Sequence, residues 1–141
     1  MATESGSAGW TIAAILAGRL IFALLFIMAA TFKFLDIGAT AQQIEAAGFP
    51  LPLLLAWTAA FFELALIAGF LTGAWFSEVC LAAMVYVLFL AAAFHGPSHW
   101  QANQAEFGFF VDHFTFAAGL LFAAAHGPGK VLAVQRGWLR R

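Results

Sequence analysis

The sequence predicts an all-α integral membrane protein, a bundle of four transmembrane helices in a single domain of residues 1–141. Hydrophobic residues make up 64% of the chain and charged residues 9%, against roughly 45–50% and about 25% in soluble domains. Six basic and seven acidic residues cannot cover a water-facing surface of this size, which excludes a soluble monomer. Four continuously apolar stretches also have the length of about 20 residues that a helix needs to cross a bilayer, without the alternation typical of a membrane β-barrel.

The predicted spans cover residues 12–34, 51–71, 75–94 and 107–126. Pro50 and Pro52 open the second span, where a proline is tolerated because the N–H that it lacks would have no partner. The third span ends at residues 95–97 (His-Gly-Pro) and the fourth at residues 127–129 (Gly-Pro-Gly), which are helix stop signals. Between the first two spans, residues 39–47 carry a short helical pattern that we expect at the membrane interface.

The basic residues predict the orientation of the bundle. Four of the six follow Gly129, namely Lys130, Arg136, Arg140 and Arg141. Because loops and tails rich in Lys and Arg stay in the cytoplasm, the tail of residues 127–141 is expected there. An even number of spans then places the N-terminus in the cytoplasm as well.

Charge and cysteine content exclude further classes of function. The net charge of −1 leaves no basic surface for a nucleic acid, so no nucleic-acid partner is expected. The single cysteine excludes an internal disulfide and a cysteine-ligated iron–sulfur cluster. No intrinsic cofactor is expected.

Two ionisable residues within the spans, Arg19 and Glu63, are functional candidates because such groups are costly in a bilayer. Arg19 lies about 10 Å and Glu63 about 12 Å from the cytoplasmic ends of their helices, at about 1.5 Å per residue. Their similar depth predicts a buried ion pair. The pair either fixes the helix register alone or forms part of a ligand or proton site.

A second polar group is predicted near the outer face, and its members are Lys33, Asp36, His95, His99, Asp112 and His113. Asp112 lies five residues into the fourth span, where Lys33 is the expected partner by sign and reach. His113 could then exchange protons near neutral pH, as reduction of a quinone carbonyl requires. The alternative is a structural Lys33–Asp112 pair with an interfacial histidine.

His95 and His99 are the candidates for metal ligation, since their i, i+4 spacing would place both imidazoles on one helix face. Gly96 and Pro97 interrupt that helix. We therefore predict no metal site, and the pattern assigns no catalytic residue.

Several segments together resemble the DoxX family of small four-helix bacterial membrane proteins over residues 18–130. They are Gly18-Arg19-Leu20 through Lys33 and Asp36, GFPLPLLLAW at 48–57 leading to Glu63, GFLTG at 69–73, and HGPGK at 126–130. The resemblance implies a multi-pass protein of the bacterial inner membrane. Some members are membrane subunits of thiosulfate:quinone oxidoreductases, and others dock soluble redox enzymes, including a superoxide dismutase and a sulfurtransferase. By that analogy Arg19, Lys33 and Glu63 are the positions to test.

Three functional hypotheses follow. The first is a DoxX-like membrane subunit of a quinone-linked oxidoreductase assembly, not catalytic alone, with quinone as its candidate ligand. The second is a structural accessory subunit that packs against a larger membrane complex. The third, a small transporter or channel, is disfavoured by the absence of an inverted repeat and the few polar residues in the spans.

The expected partners are lipid, other membrane or redox subunits, or further copies of the chain. Convergence of the polar candidates on a cavity open to lipid would favour the first hypothesis over the second.

Overall fold

Between residues 2 and 126 the chain is mostly α-helical. The computed structural model describes the backbone of residues 2–139 and the side chains of residues 9–139. Its helices are α1 (Ala2–Leu35), α2 (Ile37–Ala46), α3 (Pro52–Thr72), α4 (Phe76–Phe94) and α5 (Ala105–His126), with a 3-10 turn at Pro97–His99. There is no strand between residues 2 and 139.

Four of these helices are long and apolar enough to cross a membrane. The segments are Gly9–Leu35, Pro52–Thr72, Phe76–His99 and Ala105–His126. The predicted four-span all-α fold is therefore confirmed. The short helix expected between the first two spans is α2, which Asp36 caps by accepting a hydrogen bond from the backbone N–H of Ala39 at 2.9 Å.

The spans pack chiefly as two antiparallel pairs, α1 with α3 and α4 with α5, while α2 lies against α3. The pairs meet at a cluster of phenylalanine rings contributed by all four spans. Its members are Phe22, Phe26, Phe70, Phe76 and Phe116, with neighbouring centroids 5.5–6.1 Å apart. This spacing is typical of favourable aromatic pairs, so the ring cluster joins the two helix pairs, and its α3 and α4 members lie close to the connection between those helices.

The bundle has two distinct ends. At one end, here called the tail face, residues 127–139 fold back against the connection between α3 and α4. The backbone N–H of Val134 donates to the carbonyl of Thr72, and that of Trp75 donates to the carbonyl of Arg136, each at 2.7 Å. The opposite end, the loop face, is formed by α2 and the 95–104 connection. That the tail face is cytoplasmic stays a prediction, and Arg140 and Arg141 lie outside the described residues.

The crossing of α3 and α4 depends on Gly69. A Cβ atom built at this buried position would lie 2.4 Å from Cγ2 of Val79, closer than side chains can pack. Gly69 therefore lets the two helices approach each other directly after their short connection.

Gly69→Ala should lower the free energy of unfolding by about 1–3 kcal/mol, the usual cost of overpacking. The loss should be smaller in a Val79→Ala background, because the clashing methyl groups are then absent. Gly108→Ala is the matched control, since no atom lies within 4 Å of a Cβ there. Unfolding in detergent measures all three, and equal losses from Gly69→Ala and Gly108→Ala would contradict the packing argument.

Candidate functional site

The central polar group of the bundle is Glu63, which lies in the middle of α3 with 1% of its surface exposed. Its Oε1 atom is 2.9 Å from Nζ of Lys33 on α1. The same oxygen accepts a hydrogen bond from the phenol hydroxyl of Tyr86 on α4 at 2.8 Å. This Lys33–Glu63–Tyr86 cluster joins three of the four spans through one carboxylate oxygen.

Helix direction explains why Lys33 and Glu63 meet. Side chains on a helix tilt toward its N-terminus, and α1 and α3 run antiparallel. Lys33 lies near the loop face and tilts toward the tail face, while Glu63 lies at mid-bundle and tilts toward the loop face. The two side chains therefore converge from different levels.

The second carboxylate oxygen of Glu63 differs from the first. Oε2 is buried and has no hydrogen-bond partner among the described residues. Buried polar atoms nearly always have one, and a buried acceptor left unsatisfied costs about 1–3 kcal/mol. This atom therefore keeps an unused acceptor capacity inside the bundle.

An apolar groove of about 310 Å³ lies between α1 and α3. Its lining residues are Ile27, Ala30, Thr31, Phe34, Leu35, Leu64 and Ile67. Lys33, Glu63 and Tyr86 do not line this groove themselves. Ala30 and Ile67, which do line it, lie within about one helical turn of Lys33 and Glu63, respectively. Lys33 retains 18% side-chain exposure and Tyr86 is also partly exposed, whereas Glu63 is buried.

Arg19 has a different role from the one predicted. Only 3% of its surface is exposed, and its five hydrogen bonds of 2.9–3.2 Å all go to backbone carbonyls. The acceptors are Phe70, Leu71, Pro128, Val131 and Leu132. Because a guanidinium has five N–H donors in all, every one of them is used within the fold.

The predicted Arg19–Glu63 pair is therefore wrong, although the two residues lie at similar depth. Arg19 tilts toward the N-terminus of α1 and hence toward the tail face, whereas Glu63 tilts toward the loop face. On antiparallel helices, equal depth separates two long side chains instead of joining them. Glu63 pairs with Lys33 instead.

Arg19 completes the C-terminal cap of α3. The last four carbonyls of a helix lack partners within it. Here the carbonyl of Gly69 accepts from the N–H of Gly73, and the carbonyl of Thr72 accepts from the N–H of Val134. Arg19 donates to the two carbonyls between them, those of Phe70 and Leu71. A cation at this end also interacts favourably with the helix dipole.

Glu78, in the first turn of α4, holds the end of the described tail. Its Oε1 accepts hydrogen bonds from the backbone N–H groups of Trp138 and Leu139. Together, Arg19 and Glu78 fix residues 128–139 against the tail face.

The residues of the second predicted polar group, near the loop face, contact other partners than expected. Asp112 is exposed on α5, and the predicted Lys33–Asp112 pair is wrong because Lys33 pairs with Glu63. The physical reason is that α5 packs on α4 and not closely on α1. His113 instead lies beside His95, with ring centroids 5.1 Å apart.

His95 is also held by Glu106, whose Oε2 is 2.6 Å from its Nδ1. His99 is exposed, and its ring nitrogen lies 3.3 Å from the hydroxyl of Ser98. Among the residues that the structure describes, no group of three or more His, Cys, Asp and Glu side chains is arranged to hold a metal.

The family of the chain follows from its match to a family model. The DoxX model matches residues 14–96. The chain belongs to the DoxX family. The matched region contains Arg19 and the whole Lys33–Glu63–Tyr86 cluster, whereas α5 lies outside it. No curated protein and no solved structure matches the chain.

Two residues of these clusters were missed by the sequence reasoning, Tyr86 and Glu106. A signal for Tyr86 existed, because it is the one tyrosine of a chain with 17 phenylalanines. A hydroxyl group in a span that could have used phenylalanine indicates a hydrogen-bond partner. Glu106 carried no such signal, since an acidic residue in the first turn of a helix is ordinary.

Proposed function

We propose that this DoxX-family membrane protein is a subunit of a quinone-linked oxidoreductase assembly and is not catalytic alone. The observation that supports the proposal most directly is the Lys33–Glu63–Tyr86 cluster. Its buried carboxylate has an unsatisfied oxygen, and Ala30 and Ile67, about one helical turn away, line an apolar groove. The functions that the family resemblance implies, membrane subunits and docking partners of redox enzymes, point in the same direction. Electrons would come from a partner subunit.

The chemistry of the cluster suits a quinone headgroup. A quinone carbonyl accepts hydrogen bonds, which Lys33 Nζ can donate because an ammonium has three N–H donors. The single hydroxyl proton of Tyr86 is donated to Glu63, so Tyr86 orients the carboxylate. A quinol hydroxyl donates one, which Glu63 Oε2 can accept. The apolar groove between α1 and α3 suits the ring and its hydrocarbon tail, since such sites combine apolar walls with a few polar groups.

The second candidate function is a structural accessory subunit, and a specific observation favours it. The five predicted polar candidates do not converge on one cavity. Arg19 uses all its donors inside the fold, and Asp112 is exposed on α5. In this alternative the Lys33–Glu63–Tyr86 cluster only fixes the register of three spans.

Native purification from membranes distinguishes the two functions. We expect the wild-type chain to co-purify with a redox subunit and with quinone in roughly equal amounts. Glu63→Gln and Tyr86→Phe should lower the bound quinone at least about tenfold, as expected when a polar site loses a matched group, while the partner stays bound. Asp112→Asn is the control and should retain both.

Each outcome of this purification supports or contradicts a named function. A stable partner complex without quinone would contradict the quinone site and support the accessory role. Equal quinone content in wild type, Glu63→Gln and Tyr86→Phe would place any quinone elsewhere. A ligand-free homo-oligomer without a partner would contradict both functions.

A further inference from the structure

The histidine pair at the loop face is independent of the Lys33–Glu63–Tyr86 cluster. His95 follows the last residue of α4, and His113 lies on α5, two turns after Glu106. Their ring centroids are 5.1 Å apart with an interplanar angle of 41°. We propose that His95 and His113 bind one divalent metal ion, such as Zn²⁺, through their Nε2 atoms.

Hydrogen bonds at the other ring nitrogens determine which nitrogen is free. Nδ1 of His113 lies 2.7 Å from the carbonyl of Phe109, and because a carbonyl can only accept, this Nδ1 carries the proton. Nδ1 of His95 lies 2.6 Å from the carboxylate of Glu106, which accepts in the same way. When either ring carries a single proton, its free lone pair is therefore on Nε2.

This pattern is the one found around metal-binding histidines. Such residues donate their second ring N–H to a carboxylate or a backbone carbonyl, which fixes the tautomer and the orientation of the ring. Here the acceptor is the carboxylate of Glu106 for His95 and the backbone carbonyl of Phe109 for His113. A second contact fixes the backbone of His95, since Nε1 of Trp100 donates to its carbonyl at 2.8 Å.

The ring separation agrees with the size of a metal ion. Nitrogen atoms about 2.0–2.1 Å from a tetrahedral ion place two imidazole centroids about 5.2 Å apart, and cis positions of a square-planar ion place them about 4.5 Å apart. The observed 5.1 Å is a distance that two packed rings also adopt, and it is compatible with the tetrahedral arrangement that Zn²⁺ prefers. The site has two protein ligands, so water or a donor from a partner subunit completes the coordination.

Equilibrium dialysis of the tag-free full chain with Zn²⁺ alone tests this proposal. We expect one ion per wild-type chain. His95→Gln and His113→Gln should each weaken binding at least tenfold, and Glu106→Ala should weaken it by about 10–100-fold, as second-shell changes do. His99→Gln and His126→Gln are matched controls on the loop face and tail face, and both should bind as wild type does.

Co²⁺ substitution adds a readout of geometry. A tetrahedral site gives intense visible absorption, which should be lost in His113→Gln. The proposal is overturned if the wild type binds no stoichiometric ion, if both His95→Gln and His113→Gln bind normally, or if His99→Gln weakens binding equally. Thermal melting identifies a misfolded variant, and His113→Gln decides the question if His95→Gln does not fold.

Discussion

Replacing Arg19 with methionine should destabilise the folded protein by about 3–5 kcal/mol. The substitution keeps an apolar side chain of similar length but removes all five donors to buried or half-buried carbonyls. Each unsatisfied carbonyl costs about 1–3 kcal/mol, reduced where water reaches the tail face. Arg19→Lys should lie between wild type and Arg19→Met, because an ammonium has three donors and lacks the planar fork.

Unfolding in detergent measures the loss of stability, and limited proteolysis shows its location. Residues 128–139 should become cleavable in Arg19→Met before the spans do, because Arg19 ties this segment to the end of α3. Lys130→Met, an exposed change in the same segment, should leave stability and cleavage unchanged. A tail equally protected in Arg19→Met and wild type would refute the proposed role of Arg19.

Removing Lys33 should have a similarly large effect. Lys33→Met leaves the carboxylate of Glu63 buried without its cation, and breaking a buried ion pair from one side costs about 3–5 kcal/mol. Glu63→Gln should cost less, since a neutral amide oxygen still accepts from Tyr86 and Lys33 is partly exposed. The double variant should cost less than the sum of the single variants by about 1–3 kcal/mol.

The matched control for this cycle is Arg19→Met combined with Glu63→Gln. Because Arg19 bonds at the tail face and Glu63 faces the loop face, their effects should add within about 0.5 kcal/mol. Additive losses from Lys33→Met and Glu63→Gln, or strong coupling of Arg19 to Glu63, would contradict the pairing in the structure.

The candidate residues show how far sequence reasoning reached. Arg19, Lys33 and Glu63 were singled out because ionisable groups in apolar spans need partners, and each of the three has one. Their partners were assigned incorrectly because depth alone was used, without the tilt of side chains on antiparallel helices. Asp112 was given a partner on α1, which α5 does not approach closely.

The sequence by itself determined that the chain forms four membrane-spanning helices and approximately where each helix ends. These properties depend on local composition, since a helix satisfies its own backbone within the bilayer and Pro and Gly mark its ends. Only the tertiary structure decided that Lys33 meets Glu63 and Tyr86, that Arg19 caps α3, and that His95 lies beside His113. Those contacts join residues far apart in the chain, and they depend on which helices are neighbours and on the direction in which each side chain tilts.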